Sequence, residues 1–479
     1  MYNLRIIRSI IFLYLLSGIA IGCSENDNGT APSNNINNES TIDFWLSDPS
    51  ANIKFVQQTE GADSGKVIGT TIQVNTESVM QEIDGFGFAL TGGSAMHIHN
   101  MSESFRSLLL KELFDARDKN IGVSYLRVSI GASDLDAAVF SYDDLPAGQT
   151  DTDMEYFTLD EDRKHIIPVL KEILKINPDI KILGSPWSPP VWMKTNGSSI
   201  GGSLKPEFYD AYALYFVKYI QGMEAEDITI DAITVQNEPL HPGNNPSLLM
   251  PADEQAAFIK NSLGPAFQQH GIQTKIIIYD HNCDRPDYPI SILNDPDAKQ
   301  YIDGSAFHLY GGDISALATV HNAHPDKNLY FTEQWIGAPG NFAEDLKWHT
   351  RELIIGATRN WSRNVLEWNL AADENLEPHT PGGCTQCLGA LTISGNLATR
   401  NPAYYIVAHA SKFVRPGSKR IYSTTTNILP NVAFITPDQK IVVIVLNNGS
   451  SQSSFNIEIG GNIFNSSLSP GAVGTFVID

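Results

Sequence analysis

Eight short apolar runs, separated by longer amphipathic segments, dominate the middle of this sequence. The runs cover residues 83–90, 124–131, 181–188, 232–239, 275–282, 305–312, 328–335 and 364–371. Apolar runs that alternate with segments of helical periodicity are typical of a parallel sheet whose strands are connected by helices. Eight such units predict an α/β fold, a (β/α)8 TIM barrel that extends over residues 83–415.

Local signals place some of the connecting helices. Thr158-Leu-Asp-Glu161 predicts a capping box ahead of a helix in which Pro168 should produce a kink. Pro206 suits the first turn of the next helix, and Gly271 follows a helical pattern that ends near residue 269.

The helical period disappears after residue 415. Five short runs that alternate or are wholly apolar follow, at 420–422, 432–435, 441–446, 455–459 and 474–478, with Gly, Asn and Ser between them. They predict an antiparallel sheet but are too few to form both layers of a sandwich. Residues 42–82 hold further β-like runs. We therefore predict an accessory β-sandwich built from both chain ends, with its N-terminal strands in 42–82 and its C-terminal part in 416–479.

The first 22 residues have the features of an export signal. Arg5 and Arg8 precede an apolar run at 10–21, which is shorter than the ~20 residues that span a bilayer comfortably. The run ends in Ala20-Ile-Gly-Cys23, which resembles the signal of a bacterial lipoprotein, with cleavage after residue 22 and a lipid on Cys23. A plain secretory signal followed by a chance cysteine is the alternative.

Residues 23–41 contain almost no apolar side chains, which is typical of a flexible tether rather than of a folded segment. The two segments together predict a bacterial cell-envelope lipoprotein, at the outer membrane and facing either the periplasm or the outside. Contact with the membrane is expected only through the N-terminal lipid anchor.

The charge balance argues against one class of partner. The sequence has 54 acidic and 32 basic residues and a formal net charge of −22. Such a surface repels a phosphate backbone, so we expect no nucleic-acid partner. The histidines and cysteines form no cluster with metal-ligand spacing, so the sequence predicts neither a metal nor a cofactor.

Polar and aromatic side chains are concentrated where the predicted strands end, which is where a TIM barrel places its active site. Glu238 lies near the end of the fourth run and Glu333 near the end of the seventh, so the two carboxylates should face each other across the barrel mouth. Two opposed carboxylates are what glycoside hydrolysis requires. Both could instead be ordinary polar groups on the rim. Glu367 is the competing acid, but it lies in the middle of the eighth run, before Trp368, and we interpret it as a supporting residue.

A series of motifs occurs in an order that is specific to one family. The motifs are Gly85-Phe-Gly87, Leu126-Arg127-Val128, Ser185-Pro-Trp-Ser-Pro-Pro-Val-Trp-Met-Lys-Thr-Asn-Gly197, Asn237-Glu238-Pro239, His308-Leu-Tyr310, Thr332-Glu333, Trp368-Asn-Leu370 and His409-Ala-Ser-Lys-Phe413. From about residue 85 to the C-terminus the chain resembles glycoside hydrolase family 30, which includes β-1,6-glucanases and lysosomal glucosylceramidase.

The resemblance implies a retaining β-glycosidase that needs no metal. Glu238 matches the general acid/base of the family, Glu333 matches its nucleophile, and Asn237 matches the residue that binds the hydroxyl on C2 of the sugar. Five further positions match residues that line or support the sugar subsite next to the cleaved bond, namely Arg127, Trp187, His308, Tyr310 and Trp368.

The resemblance favours β-1,6-glucan, or β-1,6 branches on another β-glucan, as the substrate. Thr91-Gly92 stands where glucosylceramidases carry Thr-Asp, whose acid binds the outer hydroxyls of the sugar. Either another loop supplies that contact here, or the subsite holds its sugar differently. Two alternatives remain open. One is a family member that acts on a glucosylceramide-like glucoside, a fucoside or a xylan, and the other is a non-catalytic surface glycan-binding protein.

Cys384 and Cys387 form a C-x-x-C pair in the last part of the predicted barrel. A redox pair, half of a zinc site and a structural disulfide all fit this spacing. An exported protein favours the disulfide.

Overall fold

The computed structural model describes residues 42–59, 62–64 and 69–479. The predicted signal peptide, the tether and Cys23 lie outside these ranges, so the lipoprotein prediction stays a prediction. Across the described ranges, no helix is both long and apolar enough to cross a bilayer.

Eight parallel strands close into a barrel in chain order, which confirms the predicted (β/α)8 fold. The strands are Gly85–Ala89, Tyr125–Ile130, Lys181–Pro186, Ala232–Thr234, Lys275–Cys283, Ile302–Gly312, Asn328–Glu333 and Ser362–Asn369. Each coincides with one of the eight apolar runs. The runs are apolar on both faces because one face fills the barrel interior and the other packs against the helices.

Helices and short strands connect the barrel strands. The α-helices are Gly92–Asn100, Glu103–Phe114, Ile166–Ile176, Tyr209–Glu224, Ala252–Phe258, Gly264–His270, Asp287–Leu293, Pro296–Lys299, Ala316–Ala323, Phe342–His349 and Pro402–Ser411. Short 3-10 helices cover Pro49–Ala51, Asp162–Lys164, Val191–Met193 and Pro206–Phe208, and π-helical turns cover Ile259–Leu263 and Thr350–Ala357. Small strands lie at Ile336–Gly337, Ala371–Ala372, Cys387–Leu388, Leu391–Ser394 and Leu397–Arg400.

The structure corrects the predicted start of the helix Ile166–Ile176. Pro168 lies in its first turn, where the missing N–H has no intrahelical partner to lose, so it causes no kink in the helix interior. The predicted capping box is also wrong, because the Thr158 hydroxyl accepts a hydrogen bond from the Asp160 N–H at 3.2 Å instead. Gly271 ends the helix Gly264–His270 with a φ of 68°, as predicted.

Strands from both chain ends form one curled, mixed sheet of ten strands, which confirms the predicted accessory β domain. Their order is Ile53–Gln58, Ile42–Asp48, Val473–Ile478, Ile441–Leu446, Asn431–Ile435, Lys419–Ser423, Thr70–Glu82, Ser453–Ile459, Asn462–Leu468 and Ala62–Ser64. The N-terminal strand Ile42–Asp48 pairs antiparallel with the C-terminal strand Val473–Ile478, so the two ends of the domain are adjacent.

Alternate side chains of Ile441–Leu446 face opposite ways, which explains its unbroken apolar run. Ile441, Val443 and Val445 belong to the core of the sheet domain. The intervening Val442, Ile444 and Leu446 belong to the large cluster that also contains the barrel helices. The β domain is therefore packed against the barrel through one of its faces.

His409 connects the barrel helix Pro402–Ser411 to both terminal strands. Its Nε2 lies 2.8 Å from the Ser47 hydroxyl and its Nδ1 lies 2.9 Å from the Thr475 hydroxyl. Burial lowers the pKa of His409 to about 3, so the ring is neutral and can donate at one nitrogen and accept at the other. This is the physical role of the His409–Phe413 motif.

Candidate active site

Glu238 and Glu333 meet at the carboxyl-terminal mouth of the barrel. Glu333 is the last residue of strand Asn328–Glu333, and Glu238 follows strand Ala232–Thr234. One carboxylate oxygen of each lies within 4.8 Å of the other, with a ring nitrogen of His308 equally close. Glycosidases that retain configuration separate their carboxyl groups by ~5–5.5 Å, whereas inverting enzymes need ~6.5–9.5 Å to admit a water molecule. The spacing is that of a retaining site.

Backbone hydrogen bonds hold Glu238 in place beyond the end of its short strand. The Asn237 N–H donates to the Pro186 carbonyl at 2.8 Å, and the Glu238 N–H donates to the Asp280 carbonyl at 3.0 Å. Glu238 has a φ of 44°, in the left-handed region that side chains other than glycine adopt infrequently. The neighbouring strands therefore impose the backbone conformation that directs this carboxylate into the mouth.

Arg127 lies beneath the two carboxylates and is fully buried. Its Nη1 donates to Glu333 Oε2 at 2.5 Å, and its Nη2 donates to Asn237 Oδ1 at 2.7 Å. The guanidinium carbon lies 4.8 Å from the centre of the Trp187 ring. The family resemblance implied that Arg127 either lines the sugar subsite or supports it. The structure shows that Arg127 supports it, because Arg127 lies behind the carboxylates and not on the cavity wall. Since Asn237 Oδ1 accepts from Arg127, its NH₂ group is the part available to a sugar.

Asp280 is the centre of the hydrogen-bond network and was missed by the sequence analysis. Its carboxylate accepts from side chains of five other barrel strands or strand ends, namely Arg127, Ser185, Thr234, His308 and Thr332 at 2.6–3.1 Å. Burial alone would raise the pKa of Asp280, but the charge of Arg127 and these hydrogen bonds hold it far below the ordinary value. A lone acid in the apolar run at 275–282 was the available signal, because a buried charge requires partners.

His308 lies behind both catalytic candidates and is also fully buried. Its Nδ1 lies 3.2 Å from Glu238 Oε1 and 3.9 Å from Glu333 Oε1, while Nε2 lies 3.1 Å from Asp280 Oδ1. Burial would lower its pKa, but the charge of Glu333 and the bonds to Asp280 and Glu238 raise it to about 9. A protonated imidazole has no lone pair for a metal, so these side chains suit proton transfer rather than metal binding.

The ionisation of Glu238 and Glu333 is coupled because their oxygens are so close. Burial alone would raise the pKa of Glu238, but contacts with His281 and His308 hold it below the ordinary glutamate value. Burial raises the pKa of Glu333, and the charges of His308 and Arg127 offset only part of that rise. These contacts therefore favour protonation of Glu333 over protonation of Glu238.

A cavity of about 380 Å³ opens above the carboxylates, a size that suits a small ligand. Trp187, Trp335 and Trp368 form part of its wall, and the rings of Trp187 and Trp368 are 5.5 Å apart. Tyr310 donates its hydroxyl to Glu333 Oε1 at 2.9 Å. Of the predicted sugar-binding residues, Trp187, Asn237, Tyr310 and Trp368 line the cavity, whereas Arg127 and His308 lie behind it.

Several residues of the cavity were not selected from the sequence, and all of them except Asn282 lie on loops. They are Asp134, His241, Asn244, Asn282, Trp335, Gly382 and Gly383. Asp134 is a further carboxylate on the wall of the cavity. A Cβ atom at Gly92 would lie 1.6 Å from Asp136 Oδ1, so an acid cannot fit there without rearrangement. Burial, together with the charge of Glu333, raises the pKa of Asp134 to about 7.

Glu367 does not belong to the cavity. Its neighbour Leu366 fills the barrel interior and Trp368 lines the mouth, so Glu367 points outward between them. Its Oε1 lies 2.8 Å from His349 Nδ1 on the helix Phe342–His349. The structure therefore removes Glu367 as a competing acid and as a supporting residue of the site.

Cys384 and Cys387 form a disulfide, which decides among the three interpretations of the pair. Both residues line the cavity. Within the described residues, the free cysteine is Cys283, which is buried.

A closed (β/α)8 barrel with two carboxylates at retaining distance and a cavity lined by tryptophans defines a retaining glycoside hydrolase. The sequence matches the glycosyl hydrolase family 30 TIM-barrel domain over residues 83–414 and the family 30 β-sandwich domain over residues 417–476. The chain belongs to glycoside hydrolase family 30, a retaining family, and it is a glycosidase.

Relatives within the family are similar over most of their length. An endo-1,6-beta-D-glucanase of Neurospora crassa is 36% identical over 400 residues, which cover 79% of this chain and 81% of that protein. A solved endo-β1,6-glucanase structure has a TM-score of 0.83 and 35% identity, and covers 91% of this chain and 99% of its own. The lysosomal acid glucosylceramidase of Mus musculus is 28% identical over 433 residues, 84% of this chain and 82% of that protein.

Proposed function

We propose that this glycosidase is an endo-β-1,6-glucanase that acts with retention of configuration. The observation that supports the chemistry is the pair of carboxylate oxygens within 4.8 Å at the mouth of the barrel. The linkage is inferred from similarity. Relatives described as endo-1,6-β-glucanases are 32–36% identical to this chain, whereas those described as glucosylceramidases are 28–29% identical.

In the first half of the reaction, Glu333 attacks the anomeric carbon and Glu238 donates its proton to the glycosidic oxygen. The C–O bond to the leaving sugar breaks, that sugar departs as an alcohol, and a glucosyl ester forms on Glu333. The Asn237 NH₂ group is available to the hydroxyl on C2, a contact that strengthens in the transition state of such reactions.

In the second half, Glu238 removes a proton from water, which attacks the anomeric carbon and releases Glu333. Two inversions restore the original configuration. Glu238 is thereby protonated again and ready for the next cycle.

This sequence of steps requires the proton of the pair to lie on Glu238 when the sugar is bound. The contacts that the protein makes with the two carboxylates favour Glu333 instead. A glycosidic oxygen next to Glu238 is a hydrogen-bond acceptor and favours a protonated carboxyl there. Arg127 and Tyr310 both donate to Glu333 and stabilise its ionised form. Substrate binding therefore shifts the shared proton to Glu238.

Linear β-1,6-glucan should be degraded to a ladder of β-1,6-linked oligosaccharides, whose newly formed reducing ends first appear as the β-anomer. Product chromatography and proton NMR during the first minutes measure the pattern and the configuration. Parallel reactions on a branched β-1,3-glucan, a xylan, an aryl β-glucoside and a glucosyl lipid test specificity. Activity confined to the lipid or the xylan, or glycan binding without release of reducing sugar, would contradict the proposal.

We also propose that Cys23 is lipidated and anchors the protein to the cell envelope of a bacterium. The support is the sequence pattern of residues 5–23 and the polar character of residues 24–41. In a bacterial host, Cys23→Ser should move most of the activity from the membrane fraction to the soluble fraction and abolish incorporation of labelled palmitate. Ser24→Ala is the matched control and should stay anchored. A wild-type protein that is soluble would support the plain secretory signal.

A further inference from the structure

The disulfide between Cys384 and Cys387 forms part of the wall of the sugar cavity. The two cysteines pack in one apolar cluster with Trp187, Trp335 and Trp368, the aromatic residues that flank the carboxylates. The disulfide closes a very short loop, with a sequence separation of 3, and the stabilisation that a disulfide gives grows with loop length. Its position therefore indicates a local role at the site rather than a large contribution to global stability.

The segment 380–387, which contains the disulfide, contacts loops from two other parts of the barrel. Cys387 pairs with Gly337 in a short antiparallel ladder, and the Ala338 N–H donates to the Gln386 carbonyl at 2.8 Å. This ladder attaches the segment to the loop that follows Glu333. On the other side, the Cys384 N–H donates to Asp134 Oδ2 at 3.2 Å, which attaches it to the loop after the second barrel strand.

Asp134 contacts this segment through both its backbone and its side chain. Its backbone carbonyl accepts from the Thr380 N–H at 2.9 Å, and a Cβ atom at Gly383 would lie 2.4 Å from that same carbonyl oxygen. The segment thus approaches Asp134 so closely that only glycine fits. Asp134 is buried, lines the cavity and can accept hydrogen bonds from sugar hydroxyls.

We propose that the Cys384–Cys387 disulfide sets the affinity of the cavity for its sugar by fixing Asp134 and the tryptophan wall. The proposal rests on the proposed function only in taking the bound sugar as a glucose unit. Reduction by a dithiol transfers two electrons and two protons to the disulfide, which becomes two thiols, while the dithiol becomes its cyclic disulfide. Without the disulfide, the segment is less constrained and no longer fixes the position of Asp134.

Reduction should weaken sugar binding without slowing the chemical steps. Neither cysteine contacts Glu238 or Glu333 through a hydrogen bond, and Arg127, Tyr310 and His308 hold those carboxylates independently of the segment. A contact that binds substrate and transition state equally changes KM and leaves kcat unchanged. The oxidation state of this disulfide is therefore expected to act on KM.

The test compares the oxidised wild type, the wild type in dithiothreitol, and the variant Cys384→Ser/Cys387→Ser. Tryptophan fluorescence titrated with 1-deoxynojirimycin, a glucose-shaped amine, measures Kd, and an aryl β-glucoside provides kcat and KM. We expect Kd and KM to rise about tenfold in the reduced protein and in the variant, the effect of losing one hydrogen bond to a charged group. The value of kcat should stay close to wild type, and the double variant should not respond to dithiothreitol.

Thr385→Ala is the matched control, because Thr385 lies between the two cysteines and is exposed outside the cavity. It should leave Kd, KM and kcat unchanged. An unaltered Kd after reduction would overturn the proposal, and so would a parallel collapse of melting temperature and kcat, which indicates a purely structural disulfide. Failure of the oxidised wild type to release sugar from β-1,6-glucan would contradict the proposed substrate, and the comparison of Kd values would still decide the role of the disulfide.

Discussion

Replacement of Glu333 with glutamine should lower kcat/KM on β-1,6-glucan by about 10⁴- to 10⁶-fold, the loss typical of removing a covalent nucleophile. Glutamine has nearly the same shape, but its amide is too weak a nucleophile to form the glucosyl intermediate. Its carbonyl oxygen can still accept from Arg127, and its NH₂ group can donate to the Tyr310 hydroxyl. The fold should therefore persist, and the melting temperature should stay near that of the wild type.

Two measurements make this prediction specific to Glu333. A 2-deoxy-2-fluoro-β-glucoside with an activated leaving group should accumulate the glucosyl enzyme, and peptide mass analysis should place the added sugar on Glu333. Glu367→Gln is the matched control, because Glu367 also lies near the end of a barrel strand but faces His349 outside the cavity. That control should retain wild-type kcat. Label on another carboxylate, or full activity of Glu333→Gln, would show that the nucleophile is misassigned.

The barrel was predictable because its strands carry a strong and repeated signal. Each parallel strand is buried on both faces, which leaves an apolar run of strand length in the sequence, and a helical segment follows almost every run. The same reasoning found Glu238 and Glu333, since strand order alone places them at one mouth. The predicted kink at Pro168 was wrong, because the sequence does not indicate whether a proline lies in the first turn of a helix or in its interior.

The remainder of the site depends on tertiary contacts that no local pattern encodes. Tyr279 and Asp280 both have positive φ values, and the strand bulges there, which places Asp280 at the centre of the network. Asp134 reaches the cavity through a loop whose course is set by the distant segment around Thr380 and Cys384. Resemblance identified Arg127 and His308, but only the structure shows that both lie behind the carboxylates.

Replacement of Glu238 with alanine should affect the two halves of the reaction differently, depending on the leaving group. On β-1,6-glucan, whose leaving sugar needs protonation, kcat/KM should fall by about 10²- to 10⁴-fold, the usual contribution of general acid catalysis. On a dinitrophenyl β-glucoside, whose leaving group needs no proton, glycosylation should remain fast and hydrolysis of the intermediate should become slow. The expected result is a burst of dinitrophenol equal to one enzyme equivalent, followed by slow turnover. The steady-state KM should be lower than that of the wild type.

Azide and pH provide the decisive readouts for Glu238. Azide needs no general base, so it should restore turnover of Glu238→Ala and yield the β-glucosyl azide. In Glu333→Ala, azide would instead attack the anomeric carbon from the opposite face and yield the α-glucosyl azide. In the wild type, activity requires one proton on the pair, so kcat/KM should fall on the acid side when a second proton binds and on the basic side when the shared proton leaves. Because the shared proton acts from Glu238, Glu238→Ala should lose the basic limb on β-1,6-glucan, whose leaving sugar needs that proton. A retained basic limb, or an α-azide from Glu238→Ala, would require the roles of Glu238 and Glu333 to be exchanged.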